Sequence, residues 1–83
     1  MEKYKYSSLT DDQQEKILKQ IGWLKSEASD LEAQFHEERI MRFMHALVGF
    51  EFIRLHEFRY YRGLIENAMA ERKENRHGNL SEQ

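Results

Sequence analysis

Eighty-three residues with no proline and no cysteine leave room for one core and exclude a disulfide framework. Thirteen Lys and Arg against fifteen Asp and Glu give a net charge of -2, so no global field draws the chain to nucleic acid or anionic lipid. A chain this short buries little more than ~60% of the surface its unfolded form exposes, and without a metal or a partner it is a marginal monomer.

Residues 1–9 hold Lys, Tyr and Ser but no apolar run of the secretory kind, so they read as a flexible N-terminal arm. Glu, Lys, Gln, Leu, Ala, Arg and Met dominate the rest and no helix breaker interrupts them, which predicts an all-α fold in one helical domain over 10–75. The first helix starts at Thr10: a Thr at N-cap, Gln13 at N3, and Asp11 and Asp12 in the turn where the helix dipole favours acids. From there Ile17, Ile21, Leu24, Ala28, Leu31 and Phe35 alternate spacings of four and three, a heptad seam that asks for a second helix. Gly22 and the capping-like string Ser29-Asp30-Leu31-Glu32 interrupt it weakly. Because the seam keeps its phase through both, the pattern predicts a continuous or mildly kinked helix.

Beyond Glu38, a helical wheel spreads Ile40, Phe43, Met44, Leu47, Val48, Phe50, Leu55, Phe58, Tyr61, Ile65 and Met69 over more than half the circumference. A helix apolar over that arc needs several neighbours. After Met69 the chain is polar, which predicts fraying near Asn75 and Gly78 and a disordered tail over 76–83. One helix from Thr10 to Asn75 would run near ~100 Å, so the chain must reverse; Ser26–Asp30, His36–Arg39 and Gly49 are the candidate turns. Each choice gives a helical hairpin of two or three helices with more apolar arc than it can cover. The expectation is therefore a homodimer, a four-helix-bundle-like pair of chains with Phe43, Leu47, Phe50, Leu55, Phe58 and Ile65 as its core.

Glu51, Arg54 and Arg62 fall inside the apolar arc, so they are expected either as buried ion pairs or as part of a docking face. Phe52 and Tyr60 lie toward the polar stripe beside Arg59, and aromatics next to Arg anchor protein interfaces. With Arg42 and His56 they form the expected interaction edge.

Arg42, Gly49, His56 and Gly63 follow one another at heptad intervals. Glycine costs a helix interior ~1 kcal/mol, so two at matched spacing imply close approach of another helix or open space around His56. Two local strings are similar to histidine phosphotransfer modules, in which a His on a four-helix bundle accepts a phosphoryl group. His45-Ala46-Leu47-Val48-Gly49 resembles their His-x-Leu-Lys-Gly string, with Val48 in place of the basic residue. His56-Glu57-Phe58-Arg59 resembles the H-box of sensor-kinase hairpins, without the Asn or Thr-Pro that follows there. The resemblance implies His56 or His45 as phosphoacceptor in an accessory phosphotransfer protein.

Glu38, His45 and His56 share one side of a continuous helix at spacings of ~10 and ~16 Å, too wide for one metal, so no metal site and no cofactor is expected. No nucleophile triad or phosphate loop is readable. Arginines 39, 42, 54, 59, 62, 72 and 76 cluster in the second half but alternate with glutamates, so a nucleic-acid-associated factor ranks third. Ile40 to Leu55 is broken by charges and falls short of the ~20 apolar residues of a membrane span. The sequence reading is thus a small cytoplasmic, non-catalytic helical protein that homodimerises and binds another protein as a regulator, adaptor or inhibitor.

Overall fold

The computed structural model describes residues 2–81, with side chains described over 2–73. These residues form three α-helices and no strand: α1 (Asp11–Trp23), α2 (Asp30–Gly49) and α3 (Leu55–Ser81), with a single 3-10 turn at Leu24–Ser26. The all-α expectation holds.

At the start of α1 the Gln13 amide donates to Thr10 Oγ1 at 3.2 Å and the Thr10 amide donates to Gln13 Oε1 at 2.9 Å, so the capping box read from sequence is formed. The continuous seam is not. Glu27 is extended (ψ 140°), and Ser29 starts a new helix by accepting the Glu32 amide at 3.1 Å. A second cap, with Asp30 and Glu32 in the first turn, outweighs an apolar phase that carries no backbone requirement. Arg72 of α3 fixes the reversal from outside. Its Nη1 donates to the carbonyls of Leu24 (2.8 Å), Lys25 (3.3 Å) and Glu27 (2.9 Å), and its Nη2 donates to Asp30 Oδ1 at 3.1 Å. It thereby serves carbonyls that the end of α1 leaves without helical partners.

The second reversal follows Gly49. Glu51 adopts φ 62°, its amide donates to Val48 O at 3.0 Å, and the Phe52 amide donates to Leu47 O at 2.8 Å. Those two bonds close a Schellman motif with a glutamate in the left-handed position usually held by glycine. His36–Arg39, the third candidate turn, lies inside α2. His36 there places Nδ1 3.0 Å from Glu27 Oε1 and Nε2 2.8 Å from Gln20 Oε1, tying α2 to α1 and to the turn.

Gln14 near the start of α1 meets Tyr61, while Leu24 just past its end meets Arg72, so α1 runs parallel to α3 and antiparallel to α2. Between them lies one apolar core: Ile17, Leu18, Ile21 and Leu24, Ile40 and Met44 of α2, Ile53 of the second turn, and Phe58, Tyr61, Ile65 and Ala68 of α3. The backbone of α3 is helical to Ser81, past Asn75 and Gly78 where the polar composition predicts fraying. Glu82 and Gln83, the end of the expected disordered tail, lie outside the described residues.

The arm read as flexible is packed. Tyr4 and Leu9 lie against the core, the Tyr4 amide donates to Gln14 Oε1 at 2.8 Å, and Lys3 Nζ sits 3.0 Å from Glu15 Oε1. Ser7 Oγ donates to Glu57 and the Tyr60 hydroxyl donates to the Glu2 carbonyl. Sequence periodicity says nothing about such side-chain anchors.

Candidate functional site

Helix α2 carries apolar side chains inward and, over its first half, outward as well. Its inward face carries Ala33, Ile40 and Met44, all buried. At 3.6 residues per turn, Leu31 and Phe35 project on the opposite side with Phe43 flanking them, and they are 61%, 58% and 54% exposed. The seam of the sequence reading explains this result. Ile17, Ile21 and Leu24 face the core of their own chain, but the break over Leu24–Ser29 resets the phase and turns Leu31 and Phe35 outward. Ala28 is likewise exposed in the turn.

Beside this face, α1 and α2 leave a groove of about 450 Å³, lined by Leu9, Ile17, Ile40, Phe43 and Leu47 and rimmed by Lys16, Arg39, Gln13 and Gln20. At one end of α2, the turn adds Phe50 (76% exposed), Phe52 and Leu55, with the Phe50 and Phe52 rings 6.5 Å apart. Single exposed apolar side chains are ordinary, whereas these six Phe and Leu residues along α2, its turn and the start of α3 make this the candidate interaction surface.

The expected dimer core divides. Phe58 and Ile65 are buried inside the single chain and are not available to a partner. Leu47 is half-buried, and Phe43, Phe50 and Leu55 are half or more exposed. The wheel drawn for one continuous helix merged residues that the Glu51 reversal sends onto two helices. Glu51, Arg54 and Arg62 are not buried ion pairs either: all three are exposed, with Arg62 3.7 Å from Glu66 and its guanidinium 5.9 Å from the Phe58 ring centre.

Of the expected interaction edge, Arg42 lies on the outer face of α2, Phe52 in the turn, and His56 and Arg59 on the exposed side of α3. Tyr60 is half-buried under the arm, 5.3 Å from the Tyr4 ring. The structure brings Phe52 together with Phe50, but Arg42 stands on another helix from His56, Arg59 and Tyr60. The heptad line through Arg42, Gly49, His56 and Gly63 is broken for the same reason. Added Cβ atoms at Gly49 and Gly63 would meet nothing within 4 Å, so neither glycine makes room for a helix of its own chain.

Of the two histidines, His45 is exposed with its ring 5.0 Å from that of Phe58, and His56 borders a cleft shared by Tyr4, Tyr6, Ser8, Arg54 and Glu57. The acid beside His56, Glu57, is the residue sequence reasoning missed. It is 2% exposed and accepts from Tyr61 Oη at 2.6 Å and from Ser7 Oγ. Its position in the first turn of α3 adds the favourable end of the helix dipole. Burial, and then the bond to Glu57, push the Tyr61 phenol up from its ordinary 10.0. This polar cluster, completed by buried Gln14, anchors the arm.

Among the described residues, no cluster of three or more His, Asp or Glu could hold a metal ion, and no helix is long and apolar enough to cross a membrane. No family model, curated protein or solved structure matches the chain.

Proposed function

We propose that this chain is a non-catalytic cytoplasmic protein that homodimerises and acts by binding another protein, as a regulator, adaptor or inhibitor does. One observation carries the reading: the outward apolar stripe of α2, with Leu31, Phe35 and Phe43 each more than half exposed beside an apolar groove. Covering what remains exposed of these side chains gains roughly 0.8–1.7 kcal/mol each, and they sit where substitution leaves the core intact. The second apolar cluster, Phe50, Phe52 and Leu55 at the turn, is the surface left for the other protein, with Arg59 of α3 completing the aromatic and Arg composition of an interface anchor.

The test separates folding from association. Phe35→Asp and Phe43→Asp should keep the helical circular dichroism of the wild type and sediment as monomers, whereas the wild type sediments as a dimer. Phe52→Asp should leave the dimer intact and lose the proteins that the wild type retains. A wild-type chain that sediments as a folded monomer at about 100 μM, where a micromolar dimer would be nearly saturated, overturns the dimer.

A further inference from the structure

Resting on that self-association, we propose that the partner on α2 is the α2 of a second copy, packed antiparallel so that Glu38 of each copy faces Arg42 of the other. At 3.6 residues per turn, Leu31, Phe35, Glu38, Arg42 and Gly49 fall within about 60° of arc, and that arc is opposite the buried Ala33, Ile40 and Met44. The stripe is polarised: Leu31, Phe35 and Glu38 occupy its first half, Arg42 and Gly49 its second, with Glu32 and Arg39 flanking it. Glu38 and Arg42 are exposed, and neither has an ion-pair partner among the described residues, although they stand one turn apart. A parallel pairing would set Glu38 on Glu38 and Arg42 on Arg42. A two-fold antiparallel pairing centred near Ile40 instead sets each Glu38 on the partner's Arg42, twice per dimer, as isologous symmetry requires.

The same register accounts for one other feature. Leu31 comes over the partner's Gly49, the helical glycine whose Cβ space is empty in its own chain. Helix on helix does not suffice alone: a 20-residue helix about 30 Å long and 10 Å wide presents ~300 Å², against the ~800 Å² per partner of a stable interface. The Phe43 groove bordering the stripe extends that surface.

Charge reversal tests the register. Glu38→Arg alone puts Arg against Arg, Arg42→Glu alone puts Glu against Glu, and each should weaken self-association at least ~10-fold in sedimentation equilibrium. Mixed one to one, the two variants should form a heterodimer of near wild-type affinity, and the double reversal E38R/R42E should dimerise by itself. If both single variants dimerise like the wild type, or if the mixture stays monomeric, the register is overturned while self-association through α2 stands, as Phe35→Asp would still show. If Arg39→Glu disrupts the dimer and Arg42→Glu does not, the pairing is with Arg39 and the register is wrong. A wild-type monomer would remove the self-association itself.

Discussion

Glu51 holds the left-handed conformation at the end of α2 with φ 62°, a region costing a residue with a Cβ roughly 1–2 kcal/mol. Glycine relieves that cost but gives back part of it in unfolded-state entropy, so Glu51→Gly should stabilise the chain by about 1 kcal/mol, read as a higher urea midpoint at unchanged slope. The position was illegible in the sequence because glycine is the usual marker of such a turn, and here the nearest one, Gly49, is the last residue of the helix with an ordinary φ. Glu57 was illegible for another reason. In the string His56-Glu57-Phe58-Arg59 it reads as one more surface acid, and the donor that completes its burial, Ser7, lies fifty residues away. Its other donor gives a pH dependence. Tyr61 keeps its proton above 10.0 in the fold, so stability is complete below pH 10.0 and falls as the unfolded chain ionises above it. Tyr61→Phe should lose about 1–2 kcal/mol at neutral pH, leaving Glu57 one donor short, and should lack that alkaline decline when urea midpoints are compared across pH.

At the level of elements, the start of α1 was readable, whereas both reversals stood only among three candidate turns and the cap at Ser29 was outweighed by the phase of the seam. Thr10 with Gln13 and Ser29 with Asp30 and Glu32 announce α1 and α2 through side chains that must cap amides. The end of α1 depends instead on Arg72, whose guanidinium spans Leu24, Lys25, Glu27 and Asp30 from the far end of α3. A charge held at 12% exposure against three carbonyls and a carboxylate is a clamp between elements. Arg72→Met should therefore cost about 2–3 kcal/mol in denaturant unfolding. Arg72→Lys should recover little of it, because an ammonium lacks the planar fork that serves several acceptors at once. An equal loss for Lys73→Met, an exposed neighbour, would show that the clamp has no special weight.

Taken whole, the molecule measures 48 × 22 × 19 Å and exposes 6390 Å², about 1100 Å² more than the ~5300 Å² expected for a compact monomer of 10.1 kDa. The excess comes from a rod-like three-helix shape, in which a 27-residue α3 outruns the 20-residue α2. The sequence announced the surplus apolar surface but assigned part of it to the wrong positions, since Phe58 and Ile65 fill the chain's own core while Leu31 and Phe35 take the outside. Stability of a chain with that balance should depend on its concentration. For a dimer that unfolds to two chains, a hundredfold rise in concentration adds about 2.7 kcal/mol per dimer, or about 1.4 kcal/mol per chain. At the 4–8 °C per kcal/mol typical of a domain this size, the melting temperature should climb by roughly 5–10 °C between about 5 and 500 μM. Phe35→Asp should flatten that dependence without changing the helical spectrum at low temperature. A wild-type melting temperature independent of concentration would mean that the α2 face contributes nothing to stability through a second copy.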